Sequence, residues 1–166
     1  MKPIDIATSI RIEAGLFLPA LEVSSQEELF AALADALGAA GAIHDRNAFQ
    51  RLLVEREALG TTGLGHGIAI PHARSMVAQR TTLVVARLAR GLDFQAVDGH
   101  PVERVFLVVA PYGVGGEGYL PLLGVLVAAV HHDTDRERLL AVESFDDLEK
   151  LARQLIRPRI QEALAR

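Results

Sequence analysis

The chain has 166 residues, half of them hydrophobic, with a net charge of −4 and no cysteine. That length and apolar content fit one compact domain with a real core, and the charge offers no basic field for nucleic acid. The missing cysteine removes disulfides, thiolate metal sites and cysteine nucleophiles, and suits a reducing cytoplasm. The N-terminus, Met1-Lys-Pro-Ile-Asp-Ile-Ala7, has no long apolar leader. The most apolar run, Tyr119 to Val130, contains Pro121 and falls short of the ~20 residues of a membrane helix. A cytoplasmic protein, not embedded in a membrane, is the expectation.

Residues 1–20 show no firm periodicity and read as lead-in structure. Ser25-Gln-Glu-Glu28 has the form of a capping box, and Leu29, Phe30, Leu33, Ala36 and Leu37 then share one helical face, with Gly38 or Gly41 ending the helix. Asp45 is placed to cap a second helix that turns Phe49, Leu52 and Leu53 inward and carries Arg56-Glu57 near its end. Ile68-Ala-Ile70 reads as a buried strand. Thr82 to Leu88 and Arg104 to Ala110 are β-branched, apolar strands, the second apolar enough to be covered on both faces, with Asp98-Gly99 a turn between them. Gly113 to Gly118 is a flexible loop feeding a helix from Tyr119 to about His131. A short helix from Asp133 to Val142 and a long one capped by Ser144 finish the chain. No repeat or linker appears, so residues 1–166 are taken as a single α/β domain.

Function concentrates in Gly60-Thr-Thr-Gly-Leu-Gly-His-Gly-Ile-Ala-Ile-Pro-His-Ala-Arg74. Alternating Gly63, Gly65 and Gly67 let a backbone approach a ligand closely, and the strand delivers His72 at its end beside a rigid proline, free backbone N–H groups and Arg74. Neutral imidazole is a good nucleophile toward phosphorus, so this setting suits reversible phosphorylation. The plainer alternative is a core histidine bonded to a carbonyl. Arg56 and Arg74 offer planar forks that match phosphate oxygens, against the alternative of solvated surface charge. Thr61 and Thr62 could donate hydroxyls to a phosphoryl group or serve only the turn. His66 has no spacing for a metal pair, His100 decorates a turn, and His131 and His132 sit where a helix dipole favours positive charge. The glycines follow a helix and precede a strand, the reverse of a dinucleotide fingerprint, and neither a Walker A motif nor a GxSxG elbow is present.

Arg56-Glu57, then Thr61-Thr62-Gly63-Leu64-Gly65-x-Gly67-Ile68-Ala69-Ile70-Pro71-His72, then Val105-Phe-Leu-Val-Val-Ala-Pro111 resemble the enzyme IIA components of the bacterial phosphoenolpyruvate-dependent phosphotransferase system. The likeness is to the fructose/mannitol/nitrogen-regulatory class (type-2 IIA domains) and is strongest over residues 16–155. It implies a mixed central β-sheet sandwiched between helices. It also implies that His72 takes a phosphoryl group from a histidine-containing phosphocarrier protein and passes it to a downstream IIB domain or a regulated protein. Arg56 would stand beside the phosphoryl group, and no metal, nucleotide or other cofactor would be needed. Where such proteins usually open the next helix with a second histidine, in a His-Leu pair, this chain has Tyr119-Leu120. A tyrosine hydroxyl can donate to a phosphate oxygen but supplies no imidazolium charge.

Two functions follow, one a phosphocarrier and the other a regulatory, nitrogen-type binding module with weak or no transfer. The absence of a fused sugar-specific domain and the loss of the second histidine lean toward the regulatory one. A fold relative that has lost the chemistry is the third possibility, and would require His72 to be buried or turned away.

Overall fold

The computed structural model describes residues 5–166, so the start of the expected lead-in, residues 1–4, lies outside the described residues. The rest of that lead-in is structured. A short helix α1 (Ile6–Ser9), capped by Asp5, is followed by strand β1 (Phe17–Leu21). Ser25 then opens helix α2 (Gln26–Ala39), its hydroxyl accepting the Glu28 N–H, while the Glu28 carboxylate reaches back to the Ser24 N–H. Gly41, at φ +64°, takes the left-handed turn that releases the chain. Asp45 caps helix α3 (Arg46–Ala58), which buries Phe49 and Leu53.

The glycine-rich segment is a hairpin. Strand β2 (Gly63–Gly65) runs antiparallel to β3 (Ile68–Ala69) through a tight turn in which Gly65, His66 and Gly67 all have positive φ. His72 lies in a separate strand, β4 (His72–Arg74), that continues the same parallel track. Ile68 pairs with Arg104 and Ala69 with Val105, and the pairing resumes as His72 with Val108 and Ala73 with Val109. The interruption is Pro71, which has no N–H to give the ladder. The long strands are β5 (Thr82–Leu92) and β6 (Val102–Ala110), both extending past their expected bounds.

These strands make a six-stranded mixed sheet in the order β1-β5-β6-β3-β2, with β4 also on β6. β1 is parallel to β5, and β5 antiparallel to β6. Side chains alternate between faces along a strand, so β6 serves two cores. Phe106, Val108 and Ala110 join the helices that follow, whereas Val105, Leu107 and Val109 join α2 and α3. The expected sandwich is therefore present.

The loop after β6 is pinned, because both the N–H and hydroxyl of buried Thr81 donate to the Gly115 carbonyl. It leads into α4 (Tyr119–His131) and α5 (Asp133–Leu140). Ser144 and Asp147 form a reciprocal capping box for α6 (Phe145–Leu151). The helix continues through one π-type turn, Ala152–Ile156, into α7 (Arg157–Leu164). That wide turn precedes Pro158, which cannot donate an i→i−4 bond and whose ring would strike the carbonyl a turn earlier. Among the described residues no helix is long and apolar enough to cross a membrane.

Candidate functional site

His72 and Arg74 project from the same face of β4, with Ala73 buried on the other. Both are half-buried. His72 Nδ1 lies 2.9 Å from the Ile70 carbonyl oxygen. A carbonyl only accepts, so Nδ1 carries the proton and the lone pair sits on Nε2. A structural bond and an open lone pair thus coexist on one ring. Arg56 Nη2 lies 3.4 Å from Nε2, while its Nη1 donates to the Gly60 carbonyl at 3.2 Å. The last turn of α3 therefore places one guanidinium directly in front of that lone pair.

Tyr119 opens α4 against the same space. Its side chain is only 8% exposed, its ring centroid lies 6.5 Å from that of His72, and the Arg74 guanidinium carbon stands 4.8 Å from its centre. Burial pushes the Tyr119 phenol upward from its ordinary value; the charges of Arg74 and Arg56 oppose that shift without cancelling it. The hydroxyl stays protonated near neutral pH.

The two threonines are placed differently from the expected phosphate donors. Thr62 is buried, and its N–H and hydroxyl donate to the two oxygens of Glu57 at 2.9 and 2.6 Å. Thr61 donates its hydroxyl to the Phe94 carbonyl at 2.5 Å and accepts the Gly63 N–H. Their protons are committed to holding the loop.

Four backbone N–H groups of the glycine-rich segment are likewise spent internally. Those of Thr62, Gly63, His66 and Ile70 go to Glu57, Thr61, Asp98 and the Thr62 carbonyl respectively. The glycines serve the hairpin. A Cβ at Gly63 would come to 3.0 Å from the Phe94 and Ala96 side chains, so the close approach is to the protein itself. His66 lies at the hairpin tip, and His100 donates to Asp98 from the neighbouring turn.

Glu57 is the residue whose part sequence reasoning missed. One signal was available: a carboxylate in the last turn of a helix is disfavoured by the dipole and needs a compensating partner. With Glu57 turned to Thr62, neither Arg56 nor Arg74 has a carboxylate partner among the described residues. The site thus holds two guanidinium groups without a carboxylate partner on the side of the Nε2 lone pair, an arrangement suited to an anion such as a phosphoryl group.

An α/β sandwich with a histidine at the sheet and a helix-borne arginine against it defines a phosphocarrier domain. The model of the family described as "Phosphoenolpyruvate-dependent sugar phosphotransferase system, EIIA 2" matches residues 12–154, and the chain belongs to that family. It is 38% identical over 117 residues to the fructose-specific EIIA component of Haloferax volcanii, covering 70% of this chain and 75% of that one. It is 40% identical over 100 residues to a nitrogen regulatory protein of Bradyrhizobium diazoefficiens, covering 60% and 65% respectively. The crystal structure of the nitrogen regulatory protein IIA-Ntr from Neisseria meningitidis superposes with a TM-score of 0.75 at 27% identity, over 89% of this chain and 98% of that chain.

Proposed function

We propose that the protein is a phosphohistidine carrier in which His72 Nε2 accepts a phosphoryl group from a histidine-containing phosphocarrier protein. The observation that carries this reading is the Ile70 carbonyl at Nδ1, which leaves the Nε2 lone pair facing Arg56. As the Nε2–P bond forms, the P–N bond to the donor imidazole breaks and its electron pair returns to the donor nitrogen. Transfer of this kind asks for in-line placement and charge neutralisation, which Arg56 and Arg74 supply. Thr61, Thr62 and Glu57 keep the loop that fixes Arg56 relative to His72, and Tyr119 closes the side toward α4. No cofactor enters the step. The phosphoryl group then passes to a IIB domain. We place this in the cytoplasm, with residues 1–166 acting as one domain.

A second reading is favoured by the nitrogen regulatory relative. The same phosphohistidine would set the affinity for a regulated partner instead of feeding transport. The deciding experiment is intact mass after incubation with phosphoenolpyruvate, enzyme I and the phosphocarrier protein. We expect one acid-labile phosphoryl group on the wild-type chain and none on His72→Ala. Label persisting on that variant would overturn the assignment, and partner capture with and without the label separates transport from regulation.

A further inference from the structure

A guanidinium on a long stem loses rotamer freedom when it is held in one place, so it needs something to hold it. Arg56 has the Gly60 carbonyl. Arg74 has no hydrogen-bond or ion-pair partner among the described residues; what it rests on is the face of Tyr119, 4.8 Å from the ring centre. That ring is itself buried. Tyr119 is 8% exposed and follows Gly118, where a Cβ would come to 2.9 Å from Ile10. The α4 N-terminus is thus packed tightly against the residue that follows α1. Stacking occupies the flat face of a guanidinium and leaves its N–H edge free, so Arg74 can lie on the ring and still donate to an oxygen in front of His72. The His72 ring, whose centroid lies 6.5 Å from that of Tyr119, marks where that oxygen would be.

We propose that Tyr119 is a positioning residue whose ring, through its contact with Arg74, holds the second cation of the site beside His72. The proposal rests on the phosphocarrier reading and adds to it the origin of the second charge. Without the ring, Arg74 would swing into solvent and be recruited afresh at each transfer. The effect falls on turnover more than on donor affinity.

The test is a double-mutant cycle on the full chain, with phosphoryl uptake measured at varied donor concentration for wild type, Tyr119→Phe, Tyr119→Leu, Arg74→Gln and the Leu/Gln double variant. Nitrogen relaxation of the Arg74 Nε–H is recorded alongside. Tyr119→Leu and Arg74→Gln should each lower kcat about tenfold with little change in KM, and the double variant should be no slower than the slower single. Tyr119→Phe keeps a ring, so it should slow transfer only about threefold and leave the Arg74 Nε–H as ordered as in the wild type. Phenylalanine slowing transfer as much as leucine would assign the effect to the hydroxyl and overturn the proposal. So would losses that multiply in the double variant, or an Arg74 Nε–H equally mobile in all chains. If the wild-type chain takes up no phosphoryl group, the phosphocarrier reading fails by itself. The relaxation data then decide the positioning role alone, ordered with a ring at 119 and mobile with leucine supporting it.

Discussion

Glu57 offers both of its oxygens to a single neighbour, the N–H and the hydroxyl of Thr62. Glutamine would keep one oxygen for the N–H and could donate its amide to the rotated hydroxyl, whereas alanine removes both acceptors and strands two donors. With Thr62 buried, water cannot easily compensate. Glu57→Ala should therefore cost about 1–3 kcal/mol of stability, read as a lower urea midpoint at an unchanged slope. It should also slow phosphoryl uptake, since Arg56 is the adjacent residue. An unchanged midpoint would mean that the pair holds nothing. The candidates His72, Arg56 and Arg74 could be named from residue type, local order and the family resemblance. The Arg74–Tyr119 stack could not, because it joins residues far apart in sequence through the packing of α4. Nor could the commitment of the Thr61 hydroxyl to a carbonyl at Phe94.

Among the elements, the hairpin of β2 and β3 has a stability that depends on acidity. The Asp98 carboxylate accepts the His66 N–H at the hairpin tip and the His100 N–H in its own turn, and also meets the His100 ring. These bonds hold its carboxyl at about 2, below the ordinary 3.8. The folded-state value is the lower one, so the stabilisation is complete above the unfolded value and disappears as pH falls through the folded one. Its window is thus roughly pH 4 to 2. Glu13, Asp35 and Asp147 are shifted the same way by Arg11, Arg46 and Ser144, so the acid slope has several sources. The informative quantity is the difference between wild type and Asp98→Asn in urea midpoint. The gap should narrow from pH 4 toward pH 2, and a gap constant across that range would remove Asp98 from the account.

Helix α1, four residues long, is too short to show a period, whereas helices α2, α3 and α6 and the two long apolar strands were readable because periodicity and capping are local. β1 was not, since Pro19 argues against a strand; at the sheet edge its missing N–H costs no ladder bond. β3 was readable from its apolar run, but β2 is too short and glycine-rich to show a period, and exists through pairing and the fit of Gly63 against Phe94 and Ala96.

At the scale of the molecule, β6 is the element on which both halves depend. Phe106 and Leu107 are adjacent, fully buried and point into opposite cores. Removing either side chain leaves a cavity, at a cost of about 3–5 kcal/mol for Phe106→Ala and about 2–5 kcal/mol for Leu107→Ala. Neither core can be lost alone, because each uses the strand that the other requires. Both variants should shift the entire unfolding curve and keep it a single transition. Circular dichroism reports on all the helices, and tyrosine fluorescence reports on the surroundings of Tyr112 and Tyr119, since the chain has no tryptophan. Coincident curves from the two probes are the expected outcome. The coupling bears on the chemistry, because His72 is held by β6 on one side and Arg56 arrives on α3 from the layer beyond. A Leu107→Ala curve that split, with helix lost before the tyrosine signal, would mean that the α2–α3 layer can leave the sheet by itself. The Arg56–His72 separation would then be set by a local equilibrium, and phosphoryl uptake would fall with urea well before the sheet unfolds.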